Sequence, residues 1–211
     1  MVLLSGCSAA LTAVTPEQAE GLKDAQRIAD EVTRAYGVPR VRVYAAATRP
    51  GVAGGYSSRY DWIFIRPALL TGNLFWVVLG HELGHATLGH RPLDGQGEQI
   101  RATMIMREAE ANRRGVEIMV RFGGMTEREA LDLYATYFIE DNRRRDGRDA
   151  QVLFGYQMPC VELRDLWSSF GLTAPPCEAF TATPEITHCP YDDWMSTGCK
   201  AGEPLAPSPG R

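Results

Sequence analysis

The period of the apolar positions changes several times along the chain, and each change marks an element. Leu22, Ala25, Ile28, Ala29, Val32 and Tyr36 recur at helical spacing. Thr15 can cap that helix, Pro16 suits its first position, and Gln18 completes a capping box. Gly37 and Pro39 stop it. VRVYAAA (41–47) alternates as a half-buried strand does, and WIFIR (62–66) is a second strand candidate. The Gly- and Ser-rich stretch between them, TRPGVAGGYSSRYD (48–61), reads as a turn or loop. A second helix is predicted from about Leu74 to Leu88, ending at Gly89. RPLDGQGE (91–98) is a loop. A third helix covers roughly 99–122 and stops at Gly123 and Gly124. TERE (126–129) is another capping box and opens a helix to about Arg145. Beyond Ala150 one more short helix is predicted in VELRDLWSSFG, followed by an irregular tail with Pro and Cys. No internal repeat is present. The pattern predicts an α+β fold, mainly helical, with a small sheet.

Three of the four histidines lie in VVLGHELGHATLGH (77–90). His81 and His85 are four apart, so a helix sets both imidazoles on one face, one turn apart. Two converging nitrogens suit zinc. Glu82 lies between them, and in an H-E-x-x-H helix that glutamate is the general base for the water. The helix is otherwise apolar, and small Gly84 leaves room for a close neighbour. Buried polar groups on such a helix are costly without a purpose. The sequence therefore predicts a Zn2+ site.

The third ligand must come from elsewhere. His90 sits five residues after His85, past the Gly89 stop, and would point away, so it reads as support for a ligand or as structural. REAEANRRG (107–115) offers Glu108 and Glu110. Met104, Glu108, Ala111, Gly115, Ile118 and Phe122 share the apolar face of the third helix. Glu110 lies with Arg114, Glu117 and Arg121, a pattern that suits a solvated face. A carboxylate on an apolar face wants a cation, so Glu108 is the expected third ligand, with water in the fourth position. Asn112, one turn after Glu108, can hydrogen-bond a ligand histidine from behind.

At this point the chain resembles the heat-shock-protein-X and CAAX-prenyl-protease family of zinc metallopeptidases. The residues that carry the likeness are VLGHELGHATLGH and the later EAEAN. RVYAAATRPGVAGGYSSRYDWIFIRPALL and RFGGMTEREALDLY are similar to the flanking regions, so the likeness spans roughly residues 38–140. The resemblance implies a zincin-like (gluzincin) fold and a zinc metalloendopeptidase with Glu82 catalytic. It also implies Glu108 as third ligand, through the family's E-x-x-A-D motif. Asn112 stands where that motif has aspartate, and the family's Asn-Ala-Phe element is not evident. The soluble periplasmic, lipid-anchored branch is the nearer likeness. Phage-regulator-cleaving peptidases, which are cytosolic, share HELGH and a similar E-x-E-A-N stretch. The expected partner is a protein or peptide substrate, extended along an edge strand such as WIFI. Tyr134, Tyr137, Tyr156 and His188 are candidates to assist the oxyanion. The competing expectation is an inactive zinc-binding envelope lipoprotein that serves as a binding or assembly module. Asn112 supports it, and intact Glu82 opposes it.

Charge and cysteines bear on partners and compartment. The formal charge is −4, with no basic excess, which argues against nucleic acid. The cluster Arg143, Arg144 and Arg145 reads as a solvated helix end. LLSGC (3–7) resembles a lipobox with Cys7 as the lipidated residue. Only six residues precede it, none of them basic, so the reading is a lipoprotein whose signal is truncated in this sequence. The only membrane contact expected is that anchor. Cys160, Cys177, Cys189 and Cys199 then form an even set of disulfide candidates with three pairings open. Cys160 with Cys177 and Cys189 with Cys199 would each close a short loop. Disulfides imply the periplasm or outer membrane, and free thiols would imply the cytoplasm. The expected organisation is a signal or tether over 1–14, a metallopeptidase domain over 15–150, and a Cys-rich extension over 151–211.

Overall fold

The structure is a computed structural model, and it describes residues 10–11, 13–47, 53–93, 98–144 and 159–174. It is α+β and mostly helical, as the periodicity predicts. Helix α1 (Pro16–Tyr36) begins at the Thr15 capping box. The Gln18 N–H donates to Thr15 Oγ1 at 3.2 Å, and the Thr15 N–H donates to Gln18 Oε1 at 2.9 Å. It ends at Gly37, whose φ of 67° only glycine adopts freely.

Strands β2 (Arg42–Ala47), β3 (Gly54–Ser57) and β4 (Trp62–Ile65) form a small mixed sheet. The two-residue β1 (Ala10–Leu11) pairs antiparallel with the far side of β2. β2 and β4 are parallel, with Arg42 opposite Trp62. β3 and β4 are antiparallel, with Gly54 opposite Ile65. β4 is therefore interior, and β3 is the outer strand. This corrects two expectations. WIFI is not an edge, and the stretch read as a loop contains the edge strand. Gly54 explains why. A Cβ there would meet Val78 Cγ1 at 2.5 Å and Phe64 O at 2.9 Å, so the strand needs glycine to lie against its neighbours despite glycine's poor strand propensity.

α1 is tied to β2 by Gln26, which accepts from the Val43 N–H at 2.9 Å and donates to Val41 O at 3.0 Å. One sheet face buries Val43, Ala45, Ile63 and Ile65 against α1 and helix α2 (Phe75–Thr87). The other carries Tyr44, Trp62 and Phe64, which pack edge-on or tilted with centroids 5.2–6.2 Å apart.

Helices α3 (Glu98–Gly123), α4 (Glu127–Arg144) and α5 (Pro159–Ser169) complete the fold. Val77 of α2, Val116 and Met119 of α3, Leu131, Tyr134 and Phe138 of α4, and Leu163 and Trp167 of α5 form a second core. α2 thus lies between two cores, which is why it is apolar nearly all round. The apolar face predicted for α3 holds from Ala111 onward. Met104 is 36% exposed, since the first turns of α3 run past both cores.

α2 and α3 meet backbone to backbone. A Cβ on Gly84 would lie 2.5 Å from Ala111 O, and one on Gly80 would lie 3.1 Å from Gly115 O. The small residues at 80, 84, 111 and 115 set this approach, and Glu108 is one turn before Ala111. Among the described residues no helix is long and apolar enough to cross a membrane.

Candidate metal centre

The ligand atoms of His81, His85 and Glu108 all lie within 4.8 Å of one another. His81 Nε2 and His85 Nε2 are 3.1 Å apart. Glu108 Oε2 is 3.1 Å from His81 Nε2, and Oε1 is 3.5 Å from His85 Nε2. Zinc bonds of about 2.0–2.1 Å at tetrahedral angles require ligand atoms roughly 3.3 Å apart, which these separations bracket. Glu108 Oε2 is buried and has no hydrogen-bond partner among the described residues, although it lies within ion-pair distance of His81. A carboxylate whose two oxygens face two imidazole nitrogens, one of them without a hydrogen bond, fits a cation. His81, His85 and Glu108 would hold the zinc.

The electrostatics agree. Burial opposes ionisation of Glu108, but the two imidazoles hold its carboxyl well below the usual range. Burial likewise opposes a charge on His81, but Glu108, with help from Glu82 and Asn112, raises it to about 9. Protons thus gather where a cation would sit.

Each histidine is held from behind. His81 Nδ1 lies 2.7 Å from Asn112 Oδ1, so the ring N–H donates to the amide oxygen. Asn112 Nδ2 in turn donates to Glu162 Oε1 of α5. His85 Nδ1 lies 2.8 Å from Nδ1 of His90, whose Nε2 lies 3.2 Å from Glu110 Oε2. Gly89, at φ 67°, turns the chain so that His90 folds back over α2 instead of pointing away. Glu110 is half exposed, as expected, but its partner is His90. Glu117 takes Arg113 and Arg114 instead.

Glu82 is buried on α2 beside β3. Burial pushes its carboxyl up, the two histidines oppose the rise, and the Tyr56 backbone N–H donates to it. The Arg66 N–H donates to Ala53 O at 3.0 Å, so residues 53, 55 and 57 turn their backbone groups to β4. Those of 54 and 56 face outward, beside Glu82.

Tyr134 is 1% exposed, and its hydroxyl points at Gly115 on the α2–α3 crossing, so it is not placed to touch a substrate. Tyr137 is half-buried among core residues. Cys160 falls in the first turn of α5. Cys7, Cys177, Cys189, Cys199, Tyr156 and His188 lie outside the described residues. Sequence reasoning missed Glu162 and the outward edge of β3. Glu162 carried a readable signal, because it lies on the face of α5 that holds Leu163, Leu166 and Trp167. No family model, curated protein or solved structure matches the chain.

Proposed function

We propose that this protein is a zinc-dependent endopeptidase with a zincin-like (gluzincin) site. The reading rests on one observation: His81, His85 and Glu108 converge at zinc spacing, with Glu82 buried beside them. Zinc held by His81, His85 and Glu108 would lower the pKa of a water toward neutrality and polarise a carbonyl. Glu82 accepts the proton of the attacking water and passes it to the leaving amine. The Tyr56 N–H holds the Glu82 carboxylate toward the β3 edge. An extended substrate strand would pair with the outward N–H and C=O of Gly54 and the C=O of Tyr56, while the Tyr56 N–H stays on Glu82. Cys7 and the four C-terminal cysteines suggest a lipid-anchored protein of a bacterial envelope acting on envelope proteins. The competing binding-module reading drew on the charge missing at Asn112. Glu162, hydrogen-bonded to that amide, weakens this ground.

The test is zinc content together with hydrolysis of an unfolded protein substrate. Wild type should hold one zinc and cleave. Glu82→Gln should keep the zinc and lose activity by about 10²–10⁴-fold. Glu108→Ala should lose zinc, and Glu110→Ala should retain it. Wild type without zinc after zinc is supplied, or Glu82→Gln with undiminished cleavage, overturns the proposal.

A further inference from the structure

We infer that Glu162 orients His81 for metal binding, acting through the amide of Asn112. The inference rests on the metal-site reading above. Glu162 is 5% exposed and lies on α5, remote in sequence from every ligand. An ionised carboxylate only accepts hydrogen bonds. With Glu162 Oε1 at one end, Asn112 must turn Nδ2 toward it and Oδ1 toward His81. The hydrogen between Oδ1 and His81 Nδ1 must then be the ring's own. In its neutral, metal-binding form His81 is thereby fixed with its proton on Nδ1 and its Nε2 lone pair turned toward Glu108 and His85. The direction of the whole line is set at its far end.

The corresponding support behind His85 ends in Glu110, which is 50% exposed. The Asn112–Glu162 bond of the line behind His81 is buried, where a hydrogen bond is electrostatically stronger and a reversed one costs more. A carboxyl group buried on an apolar helix face needs such a partner. Glu162 is thus a positioning residue for the ligand helix, supplied by an element that contributes no ligand.

The experiment compares wild type, Glu162→Gln, and the double variant Asn112→Asp with Glu162→Gln. The double variant keeps one carboxylate and one amide in line but exchanges their places. The glutamine amide would donate to Asp, whose second oxygen accepts from His81. Each protein is titrated with zinc against a chromogenic chelator, and the His81 Nδ1–H resonance is recorded by NMR. Glu162→Gln should weaken zinc binding by about 10–100-fold and broaden that resonance, because the amide is no longer held one way round. The double variant should recover both. Wild-type affinity and an intact resonance in Glu162→Gln would overturn the inference and leave the metal site standing. Weakened binding that the double variant does not recover would also overturn it, since that reports packing alone. Should wild type take up no zinc, the proposed function falls, and the Nδ1–H resonance of the metal-free proteins, recorded above pH 9 where the ring carries a single proton, decides. Its loss on Glu162→Gln supports the orienting role, and its persistence overturns it.

Discussion

His81 is where residue-scale forces oppose most directly. Burial disfavours its charge, and Glu108 outweighs burial, so the metal-free imidazole titrates near 9 instead of 6.5. A folded-state value above the unfolded one adds stability that is complete below pH 6.5 and is lost as pH rises through about 9. A shift of that size corresponds to on the order of 3 kcal/mol. With the imidazole still 20% exposed, on the order of 2 kcal/mol should survive solvent screening. Urea denaturation of chelator-treated protein below pH 6.5 and above pH 9 should show that loss, and Glu108→Gln should remove it. A flat profile in the wild type would mean that the pair is not ionised as described. Added zinc should reverse the trend, since it displaces the His81 proton and its binding strengthens with pH. The main site residues were legible in the sequence because their types conflict with their surroundings. Glu108 stood out as a carboxylate on an apolar face, and the structure sets it against both histidines. The same conflict marks Glu162, but the helix that carries it is short and lies far from HELGH. Nothing local shows that α5 packs behind Asn112.

Elements bring these residues together through the glycines that let them touch. Strong helix periods and caps made α1, α2, α3 and α4 readable to within a residue or two. β3 was not readable, since GGYS has little strand propensity and owes its place to the close packing that Gly54 permits. The α2–α3 crossing depends on the same device. Gly84→Ala would add a Cβ 2.5 Å from Ala111 O and 3.0 Å from Ala111 Cα, both backbone atoms that cannot turn aside. Alanine gains about 1 kcal/mol of helix propensity over glycine. Overpacking costs typically about 1–3 kcal/mol, so the net change should be a modest loss of stability. The larger effect should fall on zinc. Glu108 sits one turn from Ala111, so separating the helices withdraws it from His81 and His85. Chelator competition on Gly84→Ala should show clearly weaker zinc binding with a helical circular-dichroism spectrum retained. Unchanged affinity would show that the site tolerates a wider crossing.

At the scale of the molecule, α2 joins two cores, and the candidate metal site lies along the joint. The first core holds α2 to the sheet edge that a substrate strand would extend, and the second holds it to α3, α4 and α5. Every candidate ligand lies before residue 110, yet the position of α3 depends on a core that reaches Trp167. Trp167 is wholly buried among residues that include Leu131, Tyr134 and Leu163. Trp167→Ala should therefore cost about 3–5 kcal/mol by denaturant titration, as large-to-small changes in well-packed cores do. Its effect on zinc should exceed that of an equally destabilising change in the first core, such as Ile28→Ala on α1. Both variants weaken the fold, but only Trp167→Ala loosens the seat of Glu162 and with it the hydrogen bond that holds Asn112 against His81. Zinc affinity measured for both, under conditions where each is fully folded, separates the two effects. Equal losses would mean that α5 acts on the site only through overall stability. A larger loss in Trp167→Ala would make α5 part of the metal centre in energy as well as in contact.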